Sequence, residues 1–414
     1  MRAMHHHRAA TAAVSNAPAT LMAGFPPPVE LQVNVSNWQR PQNVRWAFRH
    51  MREFIPTQVI SAGTSSPRPL RATGTPLCNP SVVRLDQSLS TAEEVISSTF
   101  TDAVMVLHAG EVVDERYFEG MTETTRHLIM SVSKSVVGCV AGVLVGQGRL
   151  DPQAALTYYV PEVAHSGYAG ATVRDVLDMR TGVAFRETYT ASDSEVRIME
   201  RSMGWAPLLA NDPPGTYAYL TTVGVSGPHG RGFTYRSADT DMLGWVCERA
   251  AGQRMADLIS ALIWQRMGAE FDAEITCDSV GTAIHDGGIS ATLRDLARFG
   301  QMVLDGGVVE GRQVVPAAWL ADTLKPAPGV REAFAVTEHE PMLPGGWYRS
   351  QFWFYPNSAG PVLLCLGIHG QLVFVDRASR VVIVKMSSWP DAQNPAYLGD
   401  TLRACGAIAA VLSA

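Results

Sequence analysis

A serine followed three residues later by a lysine, at the head of an apolar run, is a spacing that can do chemistry. In "HLIMSVSKSVVGCVAGVLVG", residues 127–146, Ser131 and Lys134 fall one turn apart on one face of a helix, within hydrogen-bonding reach. A serine hydroxyl is a weak nucleophile until a base takes its proton. An ammonium that loses its own proton on desolvation can be that base, and a guanidinium cannot. Of 33 basic residues only Lys134, Lys325 and Lys385 are lysines, so position 134 resists a strong bias toward arginine. Helix N-terminal amides near Ser131 would also face an oxyanion formed there, each well-placed donor contributing ~3 kcal/mol. The plain alternative for a lone lysine is a stem that carries its amine to solvent. Against it, a chance S-x-x-K is expected only about 0.2 times in a chain with so few lysines.

A second feature bears on the first. In "GFTYRSADTDMLGWVCERAAG" Tyr235 stands just ahead of a long helix and two residues before Ser237. Free lysine and tyrosine both titrate near ~10, so packing the two against a serine lets one proton be shared and leaves a usable base at neutral pH. A core tyrosine with a bonded hydroxyl is the plain reading of Tyr235 taken alone.

The elements that must position these groups follow from patterning. A chain of 414 residues calls for two structural regions around an ample apolar core. An amphipathic pattern predicts a helix over 43–59, then a Pro/Ser/Gly/Thr-rich connector to about residue 80. "DAVMVLHAGEVVDERYF" reads as two strands joined at Ala109-Gly110. Residues 172–299 show mostly helical periodicity with glycine stops. "PVLLCLGIHGQLVFVDRASRVVIVKMSSW" holds three β-branched runs, and an amphipathic helix over 396–412 closes the chain. The expectation is one sheet assembled from both ends of the sequence: residues 1–30 a tail, 31–176 with 300–414 an α/β domain, and 177–299 a mostly helical domain. Sites tend to form where two such regions meet.

Net charge is −6, charged residues are 17%, and no basic run occurs, which argues against nucleic acid or an anionic membrane surface as partner. A small-molecule ligand is expected. Six scattered cysteines without a C-x-x-C pair fit a reducing, cytoplasmic setting. The N-terminal stretch lacks an export signal's apolar segment, Met22 is a candidate natural start, and His5, His6 and His7 are taken as tail rather than metal ligands. No apolar run of about eighteen residues exists to span a membrane. The absence of H-E-x-x-H, a P-loop or G-x-G-x-x-G implies no metal or nucleotide cofactor, and without G-x-S-x-G an α/β-hydrolase is not expected.

"SVSK", "TVRDVLDMRTGV", "YRSADTDMLGWVCERAAG", "GGISATLRDLARFGQMVLDGG" and "GIHGQLVFVDRASRVVIVKMSSWP", in that order, resemble the serine β-lactamase-fold esterases and class C β-lactamases, and more closely the 6-aminohexanoate-dimer (nylon-oligomer) hydrolases of that superfamily. The resemblance covers about residue 43 to the C-terminus. It implies an α/β (α+β), penicillin-binding-protein-like fold with an antiparallel sheet flanked by helices and a helical insertion. Ser131 would be the nucleophile, Lys134 the adjoining base and Tyr235 the third catalytic member, acting through an acyl-enzyme. The backbone amides of Ser131 and Ile368 would form the oxyanion hole, with His369 or Gln371 as competing positions for the second donor. Tyr189 would close over the substrate and bond its amide nitrogen; Glu200 would meet a substrate ammonium; Trp205 would wall the acyl pocket. Asp286 falls at a position tied to amide activity where a neutral side chain would match better, and His369 is a further substrate-binding candidate. For Glu200 and Asp286 the plain alternative is a solvated surface carboxylate, and for Trp205 simple core packing. The chain departs from penicillin-recognising members, since Tyr235-Arg236-Ser237 replaces Tyr-x-Asn and "CLGIHG" stands in place of Lys-Thr-Gly, so a β-lactam carboxylate lacks its anchor.

Three functions compete on these residues: a hydrolase of linear ω-amino-acid amides that also cleaves short-chain esters, a carboxylesterase with little amidase activity, and a catalytically inactive binding relative. The resemblance also suggests a homodimer.

Overall fold

The computed structural model describes residues 20–74, 77–357 and 359–413, so His5, His6 and His7 lie outside the described residues. In chain order the elements that frame the site are β1 (Thr57–Ile60), α1 (Ala92–Ser98), β2 (Thr101–His108), β3 (Glu111–Tyr117), β4 (His127–Leu128), α2 (Val132–Gly146), α3 (Glu195–Ser202) and α4 (Ser237–Ala251). There follow β5 (Ala273–Thr276), β6 (Ile289–Ala291), α5 (Leu293–Leu304), β7 (Trp347–Arg349), β8 (Phe352–Asn357), β9 (Gly360–Gly367), β10 (Gln371–Asp376), β11 (Val381–Ser387) and α6 (Pro395–Leu412).

Strands from both ends of the chain meet in one antiparallel sheet of order β7-β8-β9-β10-β11-β2-β3, closed by the β11–β2 pairing that sets Val384 opposite Met105. Alternation along the central strands divides two cores. Val373, Val375, Val382 and Val384 face α2 and α5, whereas Leu372, Phe374, Val381 and Ile383 face Ile96 of α1 and Leu402 and Ile408 of α6. The β2–β3 hairpin turns at Ala109 (φ 52°) and Gly110 (φ 89°), the double left-handed geometry that suits a tight two-residue connection. A smaller sheet, β1-β5-β6-β4, stands beside the larger one and carries the chain into α2.

Helix α2 is buried all round from Val132 to Leu144, which is why its sequence is apolar on every face rather than amphipathic. It fits because Gly138, Gly142 and Gly146 form a small-residue stripe. A Cβ at Gly142 would stand 2.4 Å from Cδ1 of Trp319, so the indole packs directly on the helix backbone.

The 43–59 helix does not form as one element: there is a single turn at Val44–Ala47, a 3₁₀ turn at Met51–Glu53, and then β1. Pro56 interrupts the pattern, and β1 gains a full ladder with β5 that a longer helix would forgo. Within residues 177–299 the helices are joined by β5, β6 and long loops at 178–194 and 221–236. Those loops, rich in Gly, Thr and Ser, have no apolar periodicity of their own. Among the described residues no helix is long and apolar enough to cross a membrane, all six cysteines are free with only Cys78 exposed, and no cluster of three or more His, Cys, Asp or Glu is placed to hold a metal ion.

Lys385 lies on β11 in the core, its Nζ donating to the Thr99 carbonyl at 3.1 Å and to Ser387 Oγ. Burial pulls its pKa down to about 7. Between pH 7 and the ordinary lysine range the unfolded chain holds a proton that the folded one does not, so stability is lost as pH falls through that window. Lys385→Met is therefore expected to raise Tm by about 3 °C or more at pH 7 and by much less at pH 10, measured by calorimetry. An equal gain at both pH values would show that Lys385 is not neutralised by folding.

Candidate active site

The chain enters the site along β4, where Leu128 N–H donates to Phe48 O at 2.8 Å and Ile129 N–H to Ile289 O at 2.9 Å. Met130 is then held at φ 48°, a left-handed conformation costly for a side chain of its size. Ser131 follows as the N-cap of α2, and its Oγ makes no capping bond. It accepts instead from Lys134 Nζ at 2.8 Å. The three ammonium protons are fully used, the other two going to Ser237 Oγ at 3.1 Å and the Asp286 carbonyl at 2.8 Å. The Asp286 carboxylate lies 3.6 Å away, and Nζ sits 5.2 Å above the Tyr235 ring. Lys134 is only 1% exposed, which rules out the snorkelling reading.

Burial alone would drive the ammonium to give up its proton, but attraction to Tyr235, Asp286, Glu187 and Asp241 wins and holds Lys134 above the lysine range. Burial raises the Tyr235 phenol as well, with Lys134 pulling it down and Glu187 pushing it up; interactions with the Ser131 and Lys134 side chains lower it further. One lysine thus faces several carboxylates, and these cannot all ionise freely. Asp286 is pushed up to about 6 by burial and by the charge of Asp241, against the pull of Lys134. The Asp241 Oδ1 atom is in turn 3.2 Å from Nδ1 of the buried His285, whose pKa is raised to about 9, burial being outweighed by Asp241 and Glu248.

Two members of this cluster carry no sequence periodicity to mark them. Glu187, in the loop after Phe185, accepts from Ser237 N–H at 2.6 Å, Ser237 Oγ at 2.8 Å and the Tyr189 hydroxyl at 2.7 Å. It ties the loop carrying Tyr189 to the first residue of α4. Ser237 occupies the third position of the Tyr-x-Asn pattern and bridges Lys134 to Glu187.

Ile368 follows β9 in the turn that leads into β10, and it lines both cavities at Ser131. Among the described residues neither its amide nor that of Ser131 has a hydrogen-bond acceptor, leaving two donors free at the site. His369 does not share this role. Its amide donates to Ala392 O at 2.8 Å, its Nδ1 bonds Trp389 O at 2.7 Å, and its ring packs edge-on against Phe48. It lines neither cavity at Ser131, and burial draws its pKa down to about 4. The expectation of His369 as a substrate contact or oxyanion donor is corrected: it is a neutral brace for the turn. Gln371 opens β10, paired with Gly367 of β9, and its Nε2 donates to His369 O at 3.1 Å and Ser387 O at 2.6 Å.

Glu200 and Asp286 are buried, not solvated as the plain alternative holds. Glu200, on α3, pairs with Arg197 Nη1 at 2.5 Å, and burial raises its pKa against that pull. It lines a small chamber of about 10 Å³ together with Ser131, Tyr189, Trp205, Asp286 and Ile368. Trp205 serves both readings, walling this chamber while its indole crosses Trp38 at 5.4 Å and its Nε1 bonds Thr276 Oγ1 at 3.2 Å. A second cavity, of about 950 Å³, shares Ser131, Tyr189 and Ile368 with this chamber and is lined further by Tyr235, Glu187, Trp353 and Leu366 among others.

The fold is that of the β-lactamases and penicillin-binding proteins, an antiparallel sheet flanked by helices. The chain belongs to the β-lactamase family, whose model matches residues 98–407. Within it the chain is 41% identical to the 6-aminohexanoate-dimer hydrolase of Paenarthrobacter ureafaciens over 380 residues, 91% of this chain and 93% of that one. A solved structure from Bacillus anthracis assigned as a 6-aminohexanoate-dimer hydrolase superposes with TM-score 0.81 at 25% identity, covering 92% of this chain and 97% of that one. A family VIII carboxylesterase shares the fold at TM-score 0.56 and 15% identity, covering 76% and 96%. The protein is accordingly a hydrolase of this family.

Because Lys134 and Tyr235 are both held protonated, a form one proton short is the minority at neutral pH. If that form is the active one, kcat/KM for an ester substrate is expected to rise with a slope near one in log units from about pH 7 to 9. Asp286→Asn removes an anion beside Lys134, lowers the lysine pKa, shifts the rising limb to lower pH and raises kcat/KM at pH 7 by about 3- to 10-fold. An unshifted limb would show that Asp286 does not set the charge state of Lys134.

Proposed function

We propose that the protein hydrolyses linear amides of ω-amino acids, of the 6-aminohexanoate-dimer kind, together with short-chain carboxylic esters, through an acyl-enzyme on Ser131. The observation that carries this reading is the 2.8 Å contact of Lys134 Nζ with Ser131 Oγ beside two free backbone amides. In the productive form the Lys134–Tyr235 pair is one proton short. Ser131 Oγ attacks the substrate carbonyl carbon, its proton passes to the pair, and the carbonyl oxygen takes up the negative charge between the amides of Ser131 and Ile368. Collapse breaks the bond to the leaving nitrogen or oxygen, which receives the proton from the pair through the Tyr235 hydroxyl. Water then repeats the sequence on the acyl ester, leaving a free acid and Ser131 restored. Tyr189 would release Glu187 to bond an amide nitrogen, and Glu200 would meet the ammonium end of the acyl chain.

A second reading, a carboxylesterase with little amidase activity, draws on one feature: Arg197 already occupies Glu200 at 2.5 Å and the chamber beside it holds about 10 Å³. An acyl chain ending in an ammonium must displace that pair. An inactive binding relative is disfavoured by the intact proton cluster. A reducing, cytoplasmic setting and a homodimer belong to the same proposal, the former supported by six cysteines that are all free.

The deciding experiment compares hydrolysis of the linear 6-aminohexanoate dimer and p-nitrophenyl butyrate by wild type, with Ser131→Ala as blank. Serine-dependent turnover of both is expected, whereas turnover of the ester alone would leave the esterase reading. Tyr189→Phe is expected to reduce amide cleavage at least about tenfold more than ester cleavage, since only the amide needs its nitrogen held. Equal losses would remove Tyr189 from that role.

A further inference from the structure

The two cavities that meet at Ser131, Tyr189 and Ile368 differ in size and in chemistry. The chamber of about 10 Å³ has room for roughly one water and does not include Tyr235. The cavity of about 950 Å³ includes Tyr235 and Glu187 and runs over Leu366, Trp353, Met342 and Trp389 to Leu398 and Leu402 of α6. Trp353 stacks on the Tyr235 ring at 4.9 Å, so the apolar wall begins at the phenol itself.

A group that protonates a leaving atom must stand on the leaving atom's side of the scissile bond. Tyr235 therefore assigns the large cavity to the leaving group and the small chamber to the acyl group. We infer that the leaving-group side is built for a long apolar chain, making this an enzyme that cleaves esters and amides of medium- to long-chain alkyl or aralkyl alcohols and amines. The inference rests on the serine-hydrolase reading above and adds the chemical class of the departing half. A cavity of this volume matches a ligand of drug-like size rather than a methyl or ethyl group, and its lining residues offer contact surface along the whole length.

The far end can be plugged without touching the catalytic cluster. Gly399 on α6 is packed so that an added Cβ would sit 3.4 Å from Leu85 Cδ2 and 3.7 Å from Met342 Sδ, both ordinary contacts. A leucine there would project into the cavity.

The test uses acetate esters of linear alcohols from ethyl to octyl, with acid release followed in dilute, non-micellar solution and Ser131→Ala as blank. In wild type kcat/KM is expected to rise about twofold per added methylene beyond butyl, less than the limit for full burial of each group. Gly399→Leu is expected to cut the octyl ester at least about fivefold and leave the ethyl ester unchanged. Met342→Trp, which narrows the same cavity, should do likewise if Gly399→Leu melts early. A flat alcohol series overturns the inference while leaving the hydrolase reading in place. No serine-dependent turnover of any ester overturns both.

Discussion

A single ammonium, sealed from water and ringed by more negative groups than it can neutralise, organises the centre of this molecule. Lys134 has no solvent to fall back on, so each of its protons must find an oxygen, and it finds them on Ser131, Ser237 and the Asp286 backbone. Those three acceptors come from α2, α4 and the β5–β6 connection. Removing any one leaves a buried donor unpaired, a loss of about 1–3 kcal/mol or more for a charged group. The same requirement joins chain segments far apart in sequence and gives Ser131 its neighbour.

The surrounding architecture follows from that requirement. Helix α2 has to lie in the core to keep Lys134 dry, so its faces are apolar and its glycines admit Trp319 and the Ser350 backbone at distances no side chain would tolerate. The large sheet holds β9 and β10 in place, and with them the turn that brings Ile368 to the cavities at Ser131; His369 and Gln371 use their own polar groups to fix that turn. The left-handed Met130 marks where the strand-to-helix transition is forced so that Ser131 points into the cleft. Glu187 performs the corresponding task on the opposite wall, joining Tyr189 to the head of α4.

Much of this was legible in the residues, and what was not has identifiable causes. The Ser131–Lys134 spacing, the placement of Tyr235 before α4, the hairpin at Ala109-Gly110 and the union of both chain ends in one sheet follow from local periodicity and from family resemblance. The 43–59 segment escaped because its amphipathic pattern is real but Pro56 and the ladder with β5 compete with it. Glu187 and Arg197 were invisible for another reason: a carboxylate on a loop and an arginine on a half-buried helix look solvated until the tertiary fold closes over them. His369 misled because adjacency to Ile368 in sequence does not imply adjacency to the substrate when the backbone at 369 turns left-handed, φ 59°.

In the proposed reaction Lys134 serves Ser131 through a proton it can give up and not merely through its charge. The most direct test is the rate of covalent labelling of Ser131 by a fluorophosphonate, followed by intact mass at neutral pH in wild type and in Lys134→Arg, with circular dichroism confirming that both are folded. A single adduct is expected on wild type, with labelling slowed by about 100-fold or more in the arginine variant, which keeps the cation and cannot act as a base. Labelling of Lys134→Arg at a rate near that of wild type would contradict it.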